Sequence, residues 1–160
     1  MTPAGFLTRA RLFALTAIVW VWGVQAMAAD GVITVRSSYG PKETMNRLEA
    51  EAKAKGMTVF ARIDHAAGAT EVELSLRPTE LLIFGNARAG TPLMQSVQMI
   101  GIDLPLKALV WQDAGGETWL SYNDPSWLAK RHALGHEVDS AVSIMTAVLA
   151  AMTKAATASP

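Results

Sequence analysis

No cysteine occurs anywhere in the 160 residues. Disulfides, thiolate metal sites, thiol nucleophiles and haem attachment through Cys-x-x-Cys are therefore excluded, and stability has to come from packing. An excess of positive charge is missing as well, because 14 Lys and Arg stand against 14 Asp and Glu. A nucleic-acid partner generally asks for a basic face, so none is expected. Histidine is scarce: His65, His132 and His136 are the whole supply. The chain holds no His-Glu-x-x-His, no Gly-x-Ser-x-Gly and no Gly-Lys-Ser/Thr. Those gaps argue against zinc-protease, serine-hydrolase and phosphate-loop chemistry, and no cofactor is expected.

The one long apolar run, at 12–24 (LFALTAIVWVWGV), sits near the N-terminus. Arg9 and Arg11 precede it, and Ala26-Met27-Ala28 follows as a small-x-small cleavage site. This is the layout of a secretory signal peptide, and the run is short for a membrane span of about 20 residues. The expectation is a leader over 1–28, a periplasmic or secreted product, and no stable membrane insertion after cleavage. The product keeps 12 basic and 14 acidic residues, a net charge of −2. It is long enough to bury one core without staples.

The rest reads as one α+β domain over 29–154. A β-branched run at 31–36 (GVITVR) predicts a strand. Pro41 starts a helix to Lys55, with Met45, Leu48 and Ala52 as its apolar stripe. Period-two alternation predicts strands at 57–64 and 71–76, with Met57, Val59, Ala61 and Ile63 on one face of the first. The continuous apolar run at 80–84 (ELLIF) predicts an inner strand. After the loop Gly85–Gly90, Thr91 is a candidate cap and Pro92 a candidate helix start. Strands at 106–113 and 117–122 flank a short Ala-Gly-Gly loop, with Trp111 opposite Trp119. Asp124 caps a short helix at 126–134. A long amphipathic helix at 136–154 carries only Lys154 as a basic residue, too little for a membrane-surface helix. It should dock on the sheet or on a second subunit, and 155–160 should be a disordered tail. The sum is an antiparallel sheet of about six strands with helices on one face and an extra C-terminal helix.

Four segments together carry a family resemblance: Ile63-Asp64-His65; Phe84-Gly85-Asn86 with Gly90-Thr91-Pro92-Leu93-Met94; Asp103-Leu104-Pro105-Leu106-Lys107; and Tyr122-Asn123-Asp124-Pro125. In order and spacing they resemble the domain-of-unknown-function family 302. The resemblance covers most of 31–134 and departs at Ala87, where the family usually has proline. It implies a small α+β fold of TATA-binding-protein-like architecture and a homodimer. It implies no settled activity, and fold alone does not supply one.

Two candidate sites emerge. Asp64-His65, at a strand end, suggests a general base with Asp64 or Asp124 as orienting carboxylate. Its competing reading is a turn and a helix cap. The loop Gly85–Thr91 leads onto a helix N-terminus, where Asn86, Arg88, Gly90 and Thr91 suggest a site for a small polar or anionic ligand. A metal held by two His with Asp64 or Asp124 is conceivable, but Gly135 breaks the His132/His136 spacing, and no metal site is expected. The sequence therefore favours a non-catalytic module for a small ligand or a protein partner, with the His65 enzyme as the alternative.

Overall fold

The computed structural model describes residues 30–159. The expected leader lies outside the described residues. Five strands form one antiparallel sheet in the order β1-β5-β4-β3-β2. They are β1 Val32–Arg36, β2 Thr58–Asp64, β3 Thr79–Gly85, β4 Leu106–Gln112 and β5 Thr118–Asn123. The helices are α1 Pro41–Ala54, α2 His65–Glu71, α3 Ala87–Ser96, α4 Pro125–Arg131 and α5 Asp139–Thr157, with short 3-10 turns at Gln98–Ile102 and His136–Val138.

Strict alternation sorts the sheet into two unlike faces. Leu82, Phe84, Ala108, Val110, Leu120 and Tyr122 point to one side and are buried there. Helix α1 lies across β2 to β5 on that side, and α5 packs beside it. Pro41 opens α1 and Glu43 stands in its first turn, where the helix dipole favours an anion. Met45, Leu48 and Ala52 are its fully buried stripe. Leu81, Ile83, Leu109, Trp111 and Trp119 point to the opposite face and are only half-buried. There Trp111 and Trp119 sit in register, stacked with ring centroids 6.2 Å apart. Trp119 Nε1 donates to Asp113 Oδ2 at 2.8 Å, and that bond, with the Glu117 and Gly115 backbone N–H groups, holds the carboxyl below its ordinary range.

Several expectations need correction. The described residues form five strands where about six were expected. The alternating segment 71–76 is the end of α2 followed by an irregular stretch, with Val72, Leu74 and Leu76 exposed. Alternation over a few residues cannot tell which side is wet. The tail is not disordered through its first residues: α5 runs to Thr157, and Ala156 and Thr157 are buried. Ala155-Ala156-Thr157 simply continues the helical stripe. A third correction matters for the site. The β2–β3 register pairs Val59 with Phe84 but Ala61 with Ile83, leaving Phe60 as the extra residue of a bulge. Past the bulge the parity flips. Val59 faces the helices, whereas Ala61 and Ile63 face the open side, and Arg62 turns inward to pair with Glu49 and Glu80.

At the other edge, Gly31 adopts φ +76° beneath Trp127 of α4, and a Cβ there would collide with the indole. Only glycine lets the chain enter β1 in that conformation so close to the ring.

Phe84→Ala is expected to lower unfolding free energy by about 3–5 kcal/mol, read by urea denaturation. Leu74→Ser, at a residue 67% exposed, is expected to stay within about 0.5 kcal/mol. A comparable loss in both variants would mean that 71–76 is packed as a strand.

Candidate functional site

Asp64 is the N-cap of α2: its Oδ1 accepts from the Ala67 N–H at 2.9 Å. His65 is the first residue of that helix and is exposed. Asp124 caps α4 in the same way, accepting from the Ser126 N–H at 2.9 Å. Both carboxylates are thus engaged with backbone. Register also places Asp64-His65 far from Asp124, which follows Asn123 at the end of β5, three strands from β2 and at the opposite end of the sheet. Asp64 pairs with Glu80 at one end of β2 and β3, whereas Asn86 follows Gly85 at the other end. Six residues of strand separate the two ends by about 20 Å. The general-base arrangement of His65 with Asp64 or Asp124 is therefore not assembled. The fourfold His132/His136 spacing makes no site either. His136 pairs with Asp139, and among the described residues no three His, Asp or Glu side chains converge.

The second candidate fares differently. Asn86, not Thr91, caps α3: its Oδ1 accepts from the Arg88 N–H at 2.8 Å, and its carbonyl accepts from Ala89 and Gly90. Thr91 and Pro92 lie inside the helix. The donors expected for an anion are consequently taken up by Asn86 itself. Ala87 occupies the first helical position of α3, where proline would also fit. Yet Asn86, Arg88, Gly90 and Thr91 do share one concave surface. They line a half-open cleft of about 480 Å³ between α3 and α5.

The cleft's walls are apolar. Met57 and Phe60 come from β2 and the residue before it, Met94 from α3, Leu104 and Pro105 from the approach to β4, and Ile144, Met145 and Val148 from α5. The bulge is what delivers Phe60: as an unpaired residue it leaves the strand's alternation and stands 59% exposed at the cleft wall. A Cβ added at Gly85 would stand 3.4–3.8 Å from Pro105 and Phe60, in ordinary contact, so both side chains lie against the cleft floor at this position. Ile144 is 62% exposed on the opposite wall. Among the described residues, Arg88 is the one charged side chain in the lining.

One pairing had no sequence signal. His132, at the end of α4, meets Asp103 with Nε2 and Oδ2 2.6 Å apart. The imidazole is 6% exposed and the carboxylate 15%. Lys107 Nζ donates to the carbonyls of Asp103 and Pro105. Together these bonds fasten the 103–107 turn that carries Leu104 and Pro105 into the cleft. The residues lie 29 positions apart, and neither local periodicity nor a motif joins them.

An open antiparallel sheet with helices on one face and an apolar cleft at one end defines a small α+β protein, and among the described residues no catalytic constellation forms at the predicted positions. The family model described as domain of unknown function DUF302 matches residues 33–152, and the chain belongs to that family. An uncharacterized conserved protein DUF302 from Bacillus stearothermophilus has the same fold. It superimposes with a TM-score of 0.71 at 24% identity, over 80% of this chain and 99% of that one. Two curated relatives carry a different description. The fluoride-specific ion channel FluC 1 of Brucella suis is 51% identical over 125 residues, 78% of this chain and 49% of its own length. FluC 1 of Brucella abortus is likewise 51% identical, over 46% of its length. The chain thus spans about half the length of the curated relatives it matches.

Asp103→Ala is expected to cost about 1–3 kcal/mol, because it strands a buried ring nitrogen without a partner. His65→Ala, at an exposed helix start, is expected to change stability by no more than about 0.5 kcal/mol. Urea unfolding of the two variants checks both, and the reverse order would make His65 the anchored histidine.

Proposed function

We propose that this protein is a non-catalytic binding module of the periplasm or the secreted fraction, and that its site is the α3–α5 cleft. The supporting observation is the cleft itself, whose volume lies in the range that takes small molecules. It is lined by the loop singled out from sequence, but its chemistry revises the ligand. A small polar molecule would find almost nothing to bond inside. A ligand with an apolar body, reaching Asn86, Arg88 and Thr91 with one polar end, suits the walls.

The half-buried face of the sheet supports the homodimer. Leu81, Ile83, Leu109, Trp111 and Trp119 form a continuous apolar surface, of the kind that marks an interaction site. The Brucella relatives add a reading of context. In them, a stretch like this one forms part of a protein named as a fluoride channel, which favours an interaction role beside a membrane protein. An open sheet with unpaired edges cannot itself span a bilayer. We therefore propose no channel activity for this chain. One described helical stretch, His136–Thr157, is long and apolar enough to cross a membrane, but Val142, Met145, Leu149 and Met152 are committed to the core.

The probe 1-anilinonaphthalene-8-sulfonate is expected to bind saturably, with its fluorescence enhanced. Ile144→Glu adds a carboxylate to the cleft wall at an already exposed position. It is expected to weaken that binding at least tenfold, with the thermal midpoint within a degree or two of wild type. Undiminished probe binding in Ile144→Glu would place the site elsewhere, with the open sheet face as the next surface to test.

A further inference from the structure

We propose that the cleft receives a free, single-chain monocarboxylate, a fatty acid of medium length, with its chain along the α5 wall and its carboxylate at Arg88. This rests on the cleft being the binding site. Three observations point to it. The first is polarity. The polar side chains of the lining are Asn86, Arg88 and Thr91, which are the cap, the first turn and the second turn of α3. Beyond them the walls are aliphatic, thioether and, at Phe60, aromatic, so a polar group in the middle of a ligand would be buried without a partner, at a cost that selects against it. The ligand's polarity must sit at one end.

The second observation is charge. The Arg88 guanidinium has no hydrogen bond or ion pair among the described residues. The cleft rim continues into a shallow depression that adds Lys55, and neither surface includes an Asp or Glu. Two cations without a carboxylate complement an anion. The third is compliance. Met57, Met94 and Met145 lie around the cleft, and unbranched thioethers adapt to a flexible chain better than to one rigid outline. A bilayer is the less fitting source of such a chain. A membrane-docking surface sets its apolar residues in a strongly basic face, and the long helix beside this cleft has Lys154 alone.

Isothermal titration calorimetry of the protein tests the inference with octanoate, decanoate and dodecanoate, each below its micellar concentration, and with decanol. Decanoate should saturate one site, and each added methylene should tighten Kd by about fourfold, the transfer free energy of one CH₂. Decanol should bind up to about fivefold more weakly, the worth of an exposed ion pair. Arg88→Gln combined with Lys55→Gln should bring decanoate to the decanol value and leave decanol unchanged. Equal affinity for decanoate and decanol in the wild type would overturn the carboxylate assignment while leaving the cleft as the site. No heat with any chain, together with undiminished probe binding in Ile144→Glu, would overturn both. Sedimentation with phosphatidylglycerol vesicles, without binding of free decanoate, would overturn the inference in favour of a bilayer surface.

Discussion

One apolar sheet face has to be covered, and the way two helices cover it decides the rest of the molecule. Helix α1 crosses the sheet over β2 to β5 and, with α5 beside it, seals Leu82, Phe84, Val110 and Leu120 completely. The first half of α5, Ala141 to Val148, faces α3 across the cleft, and its last turn reaches Ser38 after β1. At the cleft end of the sheet the bulge in β2 turns Phe60 out of the ladder, and the 103–107 turn, tied down by Asp103 and His132, brings in Leu104 and Pro105. The cleft is the space these elements leave between them. Its apolar walls are an extension of the core, which explains why they hold so few polar groups.

That origin also makes the two ends of the sheet unlike. Asp64 and His65 occupy the end away from the cleft, where Asp64 satisfies the first turn of α2. Asn86 performs the same service for α3 beside the cleft. The two segments look alike in sequence, a small polar residue ending a strand before a helix, and differ only in what the tertiary fold packs against them. Capping is thus enough to account for Asp64 and Asp124. Arg88 is another matter, because nothing in the described fold uses its charge.

Much of the architecture was legible. Helix α1, strands β1, β3, β4 and β5, the Trp111–Trp119 pair and the Asp124 cap all carry local signals: period 3.6, period 2, a β-branched run, a Pro at the helix start. The failures share a cause. Alternation at 71–76 and the parity of β2 both depend on where a strand sits in the sheet, and one bulged residue at Phe60 inverts the pattern without changing the composition. The Thr91-Pro92 signal was outcompeted by Asn86, five residues earlier, since a cap that engages Arg88, Ala89 and Gly90 starts the helix first. At the site, the loop Gly85–Thr91 was found, but its apolar counterwall was not. Ile144, Met145 and Val148 read as an ordinary core stripe, and only the tertiary fold shows that Ile144 faces a cleft.

Ligand binding is proposed at the α3–α5 cleft and not at the polar strand end near His65. Methyl-labelled methionine makes that directly visible by nuclear magnetic resonance, because Met57, Met94 and Met145 line the cleft whereas Met99 stands exposed outside the lining. On addition of decanoate the three cleft methyl signals should shift together and saturate, with Met99 and the His65 ring unmoved. Shifts confined to Met99 or to His65, with the three cleft signals unchanged, would contradict the account.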